Sequence, residues 1–460
     1  MTDELPEIPE SLKGWTVASV RSVVSTLQYG ISTKADTDAK GGIVILRMGN
    51  IQNGRLDLSD LKYVPRSKDL DPVLLNRGDV LFNRTNSPDL VGKSAVVDVD
   101  DEMVFASYLI RLTARTDAID PKYLCWWINS TWGRQWAARV KTDGVSQSNI
   151  NGTKLGEMPI ALAPLPEQHR IVEKVEALLE QVNRAKERLD RVPLILKRFR
   201  QAVLAAACSG ELTSESELDA WEMLTIGSVA WVGTGSTPLR TNSSFYSRNG
   251  TPWITSAATA LPFVTHAEEF VTDEAINVHR LKKYPIGTLL VAMYGEGKTR
   301  GQVSELAIEA TINQAMAAIV VDGKRANREF VKLHLQGNYL QMRSLSEGGN
   351  QPNLNLSKIK NFPLYLPSLQ SQKRIVARVQ AFMALADTIE RRVQAATARA
   401  NKLPQAILSK AFSGELVPTE AELARLEGRT YETAEELLKR VTALGSDAPS
   451  NRKGRGRRTG

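Results

Sequence analysis

Gln168-His169-Arg170-Ile171-Val172-Glu173-Lys174-Val175 and, 204 residues later, Gln372-Lys373-Arg374-Ile375-Val376-Ala377-Arg378-Val379 are two copies of one pattern. The match extends without a gap from Gly144–Thr213 to Gly348–Val417, with about a third of the positions identical. Gln147, Asn149, Asn151, Lys154 and Pro159 meet Gln351, Asn353, Asn355, Lys358 and Pro363, and each copy closes on Ser-Gly-Glu-Leu, at 209–212 and 413–416. Upstream the likeness is weaker: Trp15 pairs with Trp221, Gly78-Asp79-Val80-Leu81 with Gly287-Thr288-Leu289-Leu290, and Gly92 with Gly301. An internal repeat of this length governs the whole architecture.

Both copies carry an apolar seam. Ile171, Val175, Leu178, Val182, Ala185, Leu189, Val192, Leu196, Phe199 and Val203 are spaced alternately by four and three, and Ile375, Val379, Phe382, Ala386, Ile389, Val393, Ala396, Ala400, Leu403 and Ile407 repeat that spacing. Such heptads predict two long helices that pack on one another. The intervening region leaves either orientation open to the linker, but an antiparallel pair lets each helix carry its globular region at opposite ends. About 40 helical residues make a rod of roughly 60 Å. Pro193 and Pro404 lie inside the two helices and are expected to kink or restart them.

The segments before each helix read as mixed α and β. Short β-branched runs, Ile43 to Leu46, Val80 to Phe82, Leu289 to Val291 and Ala317 to Val321, are separated by Gly, Asn, Asp and Pro. Asp120-Pro121 predicts a capped helix start, followed by an aromatic-rich helical pair whose Trp126, Trp127, Trp132 and Trp136 read as core. Asn327 to Leu345 is the counterpart without tryptophans. The expected layout is a globular region at 1–165, a helical spacer at 166–213, a second globular region at 214–367, a second spacer at 368–418, and a C-terminal helix with a basic tail at 419–460. The fold class is α+β.

Composition excludes several chemistries. Among 460 residues, 59 Lys and Arg against 51 Asp and Glu give +8, but five of those positive charges lie in the last ten residues. A polyanion surface must therefore come from local clustering. Cys125 and Cys208 are too few for a disulfide framework or a four-ligand zinc site, which fits a reducing compartment. No apolar run approaches the ~18 residues of a membrane span, and Met1 to Pro9 has no leader-like character, so a cytoplasmic protein without membrane contact is expected. The four histidines lack metal-ligand spacing.

Ala292 to Thr299, A-M-Y-G-E-G-K-T, fits a relaxed phosphate-loop pattern, but Arg300-Gly301-Gln302-Val303 does not open a helix after it. There is no nucleophile elbow, dinucleotide turn or amino-methyltransferase Asp/Asn-Pro-Pro-Tyr/Phe motif. What remains is polar loop chemistry suited to base edges and phosphates. The candidates are Arg47, Asn50, Arg84, Thr85, Asn86, Lys93, Ser107, Tyr108, Gln147 and Asn149 in the first half, and Thr255, Ser256, Tyr294, Lys298, Arg300, Asn313, Gln314, Gln351 and Asn353 in the second. For the repeated Gln147/Gln351 and Asn149/Asn353, capping of the next element is an equal alternative.

Two divergent globular halves, each followed by Gln-x-x-Ile-Val-x-x-Val and a long helix ending in Ser-Gly-Glu-Leu, resemble the specificity subunit of a bacterial type I restriction-modification enzyme. The stretches Pro193 to Leu204 and Ala386 to Phe412 are similar to the enteric A-type subgroup. The resemblance implies two target recognition domains reading a bipartite duplex DNA site, with the helices as ruler and docking surface. It also implies two modification subunits carrying S-adenosylmethionine and two restriction subunits using ATP and Mg, with no cofactor and no catalytic residue on this chain. A non-catalytic coiled-coil scaffold and a phosphate-loop enzyme are the alternatives.

Overall fold

The structure, a computed structural model, describes residues 12–33, 41–145, 147–213, 221–295, 299–346 and 353–446. The chain forms two compact units, residues 1–188 with 397–460, and residues 189–396. Both boundaries fall inside the long helices Leu165–Ser209 and Leu369–Phe412, so each unit takes one globular region and part of each helix.

In the first unit, Thr16–Ser19 pairs antiparallel with Pro159–Leu162 and ties the two ends of the globular region together. A four-stranded antiparallel sheet follows in the order Val24–Tyr29, Leu109–Ala114, Asp79–Asn83, Ser94–Val96. Asp79–Asn83 is buried along its whole length because both faces are covered. Val80 and Phe82 enter a core with the tryptophan helices, whereas Leu81 enters a second core with Ile45, Phe105 and Leu109. That alternation is the period of two expected of a strand. The second core lies under a small sheet in which Ile43–Leu46 is flanked by Met103–Phe105, parallel, and Lys62–Val64, antiparallel.

Asp120 caps the helix Pro121–Asn129 by accepting from the Lys122 and Tyr123 amides, and Ser130 caps the next helix, Thr131–Val140. Trp126, Trp127 and Trp136 are buried, and the half-buried Trp132 stacks on Trp127 at 6.0 Å.

The second unit repeats this frame. Glu222–Thr225 pairs with Pro363–Leu366, and the main sheet runs Ala230–Thr234, Met316–Val321, Leu289–Ala292, Val303–Leu306, extended by Phe263–Val264. The repeated glycines mark the same turns: Gly78 and Gly287 have φ of 93° and 87°, and their amides donate to Val97 and Leu306. Only glycine takes that conformation without strain. The repeated Gln168 and Gln372 are also equivalent. Each is buried and accepts from the backbone amide at the cap of the upstream helix, Asp120 at 2.9 Å and Asn327 at 2.7 Å.

The long helices run antiparallel. In the first unit, Ile171, Val175 and Leu179 share a core with Leu408, Ala411 and Phe412. In the second, Val203 and Ala207 share one with Ile375 and Val379, Phe199 meets Phe382 edge-on at 6.1 Å, and Arg200 reaches Asp387 and Glu390 at 2.7 Å each. Early residues of one helix thus meet late residues of the other.

The seam departs from strict heptads. Leu179 and Leu408 are buried where Leu178 and Ile407 were expected, which are themselves half-buried, and Phe382 and Leu403 remain 37% and 44% exposed. In the first unit the same helical turns also pack on the globular core, where Phe412 meets Tyr123 and Trp127. The buried arc is therefore wider than an a/d stripe and is rotated toward that core. Val182, Leu196 and Ala386 are buried, Leu189, Val192, Ile389 and Val393 half-buried, and Ala185 exposed. Both helices continue through Pro193 and Pro404, so neither proline restarts its helix.

The expected single C-terminal helix is two, Glu420–Glu427 and Ala434–Ser446. Thr419 and Glu422 form a capping box at the first. From the second, Ala434, Leu437 and Val441 enter the first unit's core. The basic tail lies outside the described residues.

Candidate nucleic-acid interface

In the first unit several candidate residues converge on one edge. The strand Thr85–Asn86 pairs with Ser148–Asn149, which pairs in turn with Thr142–Asp143. Arg84, immediately before it, lies over the Tyr29 ring at 4.9 Å. Its Nη2 donates to Asn149 Oδ1 at 3.2 Å and its Nη1 to the Ser107 carbonyl at 3.3 Å. Asn149 Nδ2 donates to Thr85 Oγ1 at 2.7 Å, and the Arg84 amide to the Tyr108 carbonyl at 2.9 Å. Arg84, Thr85, Asn86, Ser107, Tyr108 and Asn149 therefore form one patch, with Gln147 exposed on the adjoining turn.

Among the described residues no carboxylate pairs with Arg84, and its Nε has no acceptor. A guanidinium held flat by an aromatic ring and two neutral acceptors is a pre-oriented fork for a base edge or phosphate. Tyr29 is absent from the sequence-derived candidates. Its signal is only a tyrosine ending an alternating strand, and its hydroxyl accepts from the Gly152 amide at 2.7 Å.

The other first-unit candidates lie elsewhere. Asn50 is buried and closes its own loop, accepting from the Arg47 amide and donating to the Asp57 and Asp60 carbonyls. Arg47 pairs with Asp60 at 2.9 Å. Lys93 borders a different cleft, where its Nζ donates to Gln52.

In the second unit, Thr255, Tyr294, Asn313, Gln314 and Asn353 surround one end of the sheets. The Asn313 amide donates to the Ile254 carbonyl, the Tyr294 amide to Ala315, and the Leu354 amide to Met293. Gln314 accepts from Thr237, and Tyr294 is 40% exposed. Ser256 begins a short 3₁₀ turn, and Arg300 is half-buried in the turn leading to Gly301. Lys298 and Gln351 lie outside the described residues. Capping falls to Asn151 and Asn355, which accept from the Lys154 and Lys358 amides, rather than to Asn149 and Asn353.

After the phosphate-loop pattern, part of which lies outside the described residues, Thr299 to Gln302 form a turn into the strand Val303–Leu306, which pairs antiparallel with Leu289–Ala292, and open no helix. Burial pushes the Cys125 thiol up to about 12 and Cys208 up to about 11, which keeps both protonated at neutral pH. Burial likewise lowers the His334 pKa, and its Nε2 lies 2.9 Å from the Pro363 carbonyl. Among the described residues no group of three or more His, Cys, Asp or Glu could hold a metal, and no helix is long and apolar enough to cross a membrane.

Residues 13–193 and 219–397 match the family model of the type I restriction modification DNA specificity domain. The chain is 30% identical over 431 residues to the StySPI specificity subunit of Salmonella potsdam, covering 89% of this chain and 90% of that one. It is 28% identical over 430 residues to the EcoKI specificity subunit of Escherichia coli K12, with the same coverage. The fold is similar to the crystal structure of the HsdS subunit from Thermoanaerobacter tengcongensis, with a TM-score of 0.64 and 21% identity over 90% of this chain and all of that one. The doubled frame, the antiparallel helices and both matched segments agree: this chain belongs to the type I restriction-modification DNA specificity family, in its enteric form.

Proposed function

We propose that this protein is the non-catalytic subunit that reads a bipartite duplex DNA site, one half-site per unit, for a type I restriction-modification enzyme. The observation that carries the reading is one frame bearing two different chemistries. The Ile150 amide donates to the Arg84 carbonyl, and the Leu354 amide donates to Met293 at the equivalent point. A guanidinium fork thus occupies an edge position in the first unit where the second has a buried core thioether, so the second unit must meet its half-site with other residues, as two unlike half-sites require.

The partner that flips and methylates adenine is a modification subunit carrying S-adenosylmethionine, and ATP and Mg belong to restriction subunits. Two copies of each fit a doubled frame. Leu194, Ile195 and Leu385, on the long helices, are 54%, 58% and 52% exposed, which supports protein docking there. The assembly works in the cytoplasm, where DNA is reached.

Replacing residues 1–165 by the corresponding region of another specificity subunit tests the reading. Methylated-adenine sequencing in cells with the cognate modification subunit should show one half of the motif changed and the other kept. Changes in both halves contradict independent readout. DNA binding with no sequence preference and a shallow salt dependence would instead favour a scaffold.

A further inference from the structure

In the first unit a cleft of about 240 Å³ opens between the turn at Asn53–Arg55, the tryptophan helices and the two long helices. Four cations, Arg55, Lys93, Arg134 and Lys186, line it against one acid, Asp89. The two innermost are fixed by neutral acceptors. Lys93 Nζ donates to Gln52 Oε1 at 3.3 Å, while the Arg134 guanidinium donates to the Val91 and Asp89 carbonyls at 2.7 and 2.6 Å.

Burial, and then the charge of Arg134, lower the Lys93 pKa, and burial lowers that of Arg134. Asp89 is the one acid lining the cleft beside these like charges, and its charge offsets only part of the effect of burial on Arg134. Trp126 forms part of the wall, and its buried indole N–H has no acceptor among the described residues. A confined space lined by four cations against one acid complements a group carrying several anionic oxygens.

We propose that this cleft is a phosphate-binding site. A phosphate presents enough acceptor oxygens to satisfy several of these donors at once, and its charge relieves the repulsion between Lys93 and Arg134. The inference stands on the cleft alone and does not depend on how bases are read. The phosphate comes either from a free oxyanion such as pyrophosphate or from a phosphodiester of nucleic acid.

The test is thermal unfolding of the full chain in sodium pyrophosphate and in sodium chloride at matched ionic strength, for the wild type and for Lys93→Met and Lys186→Met. The expected result is a saturable rise in Tm with pyrophosphate in the wild type that both variants lose. In chloride alone, Lys93→Met should melt at or above the wild type, since removing its charge relieves Arg134. An equal pyrophosphate shift in all three proteins, or a Lys93→Met protein that melts below wild type in chloride, would overturn the proposal.

A second arm separates the two sources using a duplex of unrelated sequence. If each variant lowers the salt slope of binding by about one, the ligand is a backbone phosphate. If the slope is unchanged while the pyrophosphate shift is lost, the ligand is a free oxyanion.

Discussion

Replacing Gln168 or Gln372 by leucine tests whether the two units share one joint at the start of each long helix. Gln168 is buried and makes three hydrogen bonds: it accepts from the Asp120 amide at 2.9 Å and donates to the Ala163 and Ala118 carbonyls at 2.8 and 3.1 Å. Gln372 accepts from the Asn327 amide and donates to the Pro367 carbonyl, both at 2.7 Å. Leucine keeps most of the volume and removes every bond, leaving buried backbone groups unpaired. At a floor of about 1 kcal/mol per bond, Gln168→Leu costs about 3 kcal/mol and Gln372→Leu about 2 kcal/mol. For units of this size, about 2–4 °C of Tm is lost per kcal/mol. The first unit's calorimetric transition should then fall by roughly 6–12 °C and the second's by roughly 4–8 °C. Each variant should move only its own unit's transition. Shifts under about 1 °C, or a larger loss for Gln372→Leu, would refute the reasoning.

Arg84→Ala should relax a single base position in one half-site by about 1–3 kcal/mol and leave the other half unchanged; methylated-adenine sequencing reads this directly, and uniform weakening across all sequences would make Arg84 a phosphate contact instead. Glu420 and Glu167 should titrate with opposite signs. Burial opposes ionisation of Glu420, but Arg170 at 2.8 Å and Arg429 at 2.6 Å outweigh it and hold its pKa below the ordinary 4.5. Its stabilisation is present above that value and is lost as pH falls through the depressed one, so the Glu420→Gln deficit in Tm should be greatest at neutral pH and close in acid. Burial raises the Glu167 pKa, so its contribution is lost as pH rises through the raised value, and the Glu167→Gln deficit should narrow from acid to neutral pH. Deficits independent of pH would contradict both assignments.

The doubled frame was legible because the helical copies retain Gln, Ile-Val and Ser-Gly-Glu-Leu at constant spacing, and the glycines at 78, 92, 287 and 301 sit where the backbone requires positive φ. Heptad spacing disclosed the helix pair but not its rotation. Choosing Leu179 over Leu178, or Leu408 over Ile407, depends on a globular core that local periodicity does not see. The second C-terminal helix had a readable signal in Thr433-x-x-Glu436, whose side chains and amides bond reciprocally as in a capping box.

The candidate interface residues were less legible. A polar loop residue can face outward, as Gln147 does, or turn inward to close its own loop, as Asn50 does, and composition does not separate the two. Arg84 stands out only once Tyr29 and Asn149, distant in sequence, are brought beside it.

The most direct test of bipartite reading gauged by the helices is the methylated-adenine motif in cells expressing this chain with its cognate modification subunit, compared with a variant carrying four extra residues after Ala185 and four after Ala398. Four residues lengthen each helix by about 6 Å, against about 3.4 Å per base pair. The account predicts two defined half-motifs at a fixed spacing in the wild type, and the same half-motifs one or two base pairs further apart in the variant. A single continuous motif, or a spacing that does not change, would contradict it.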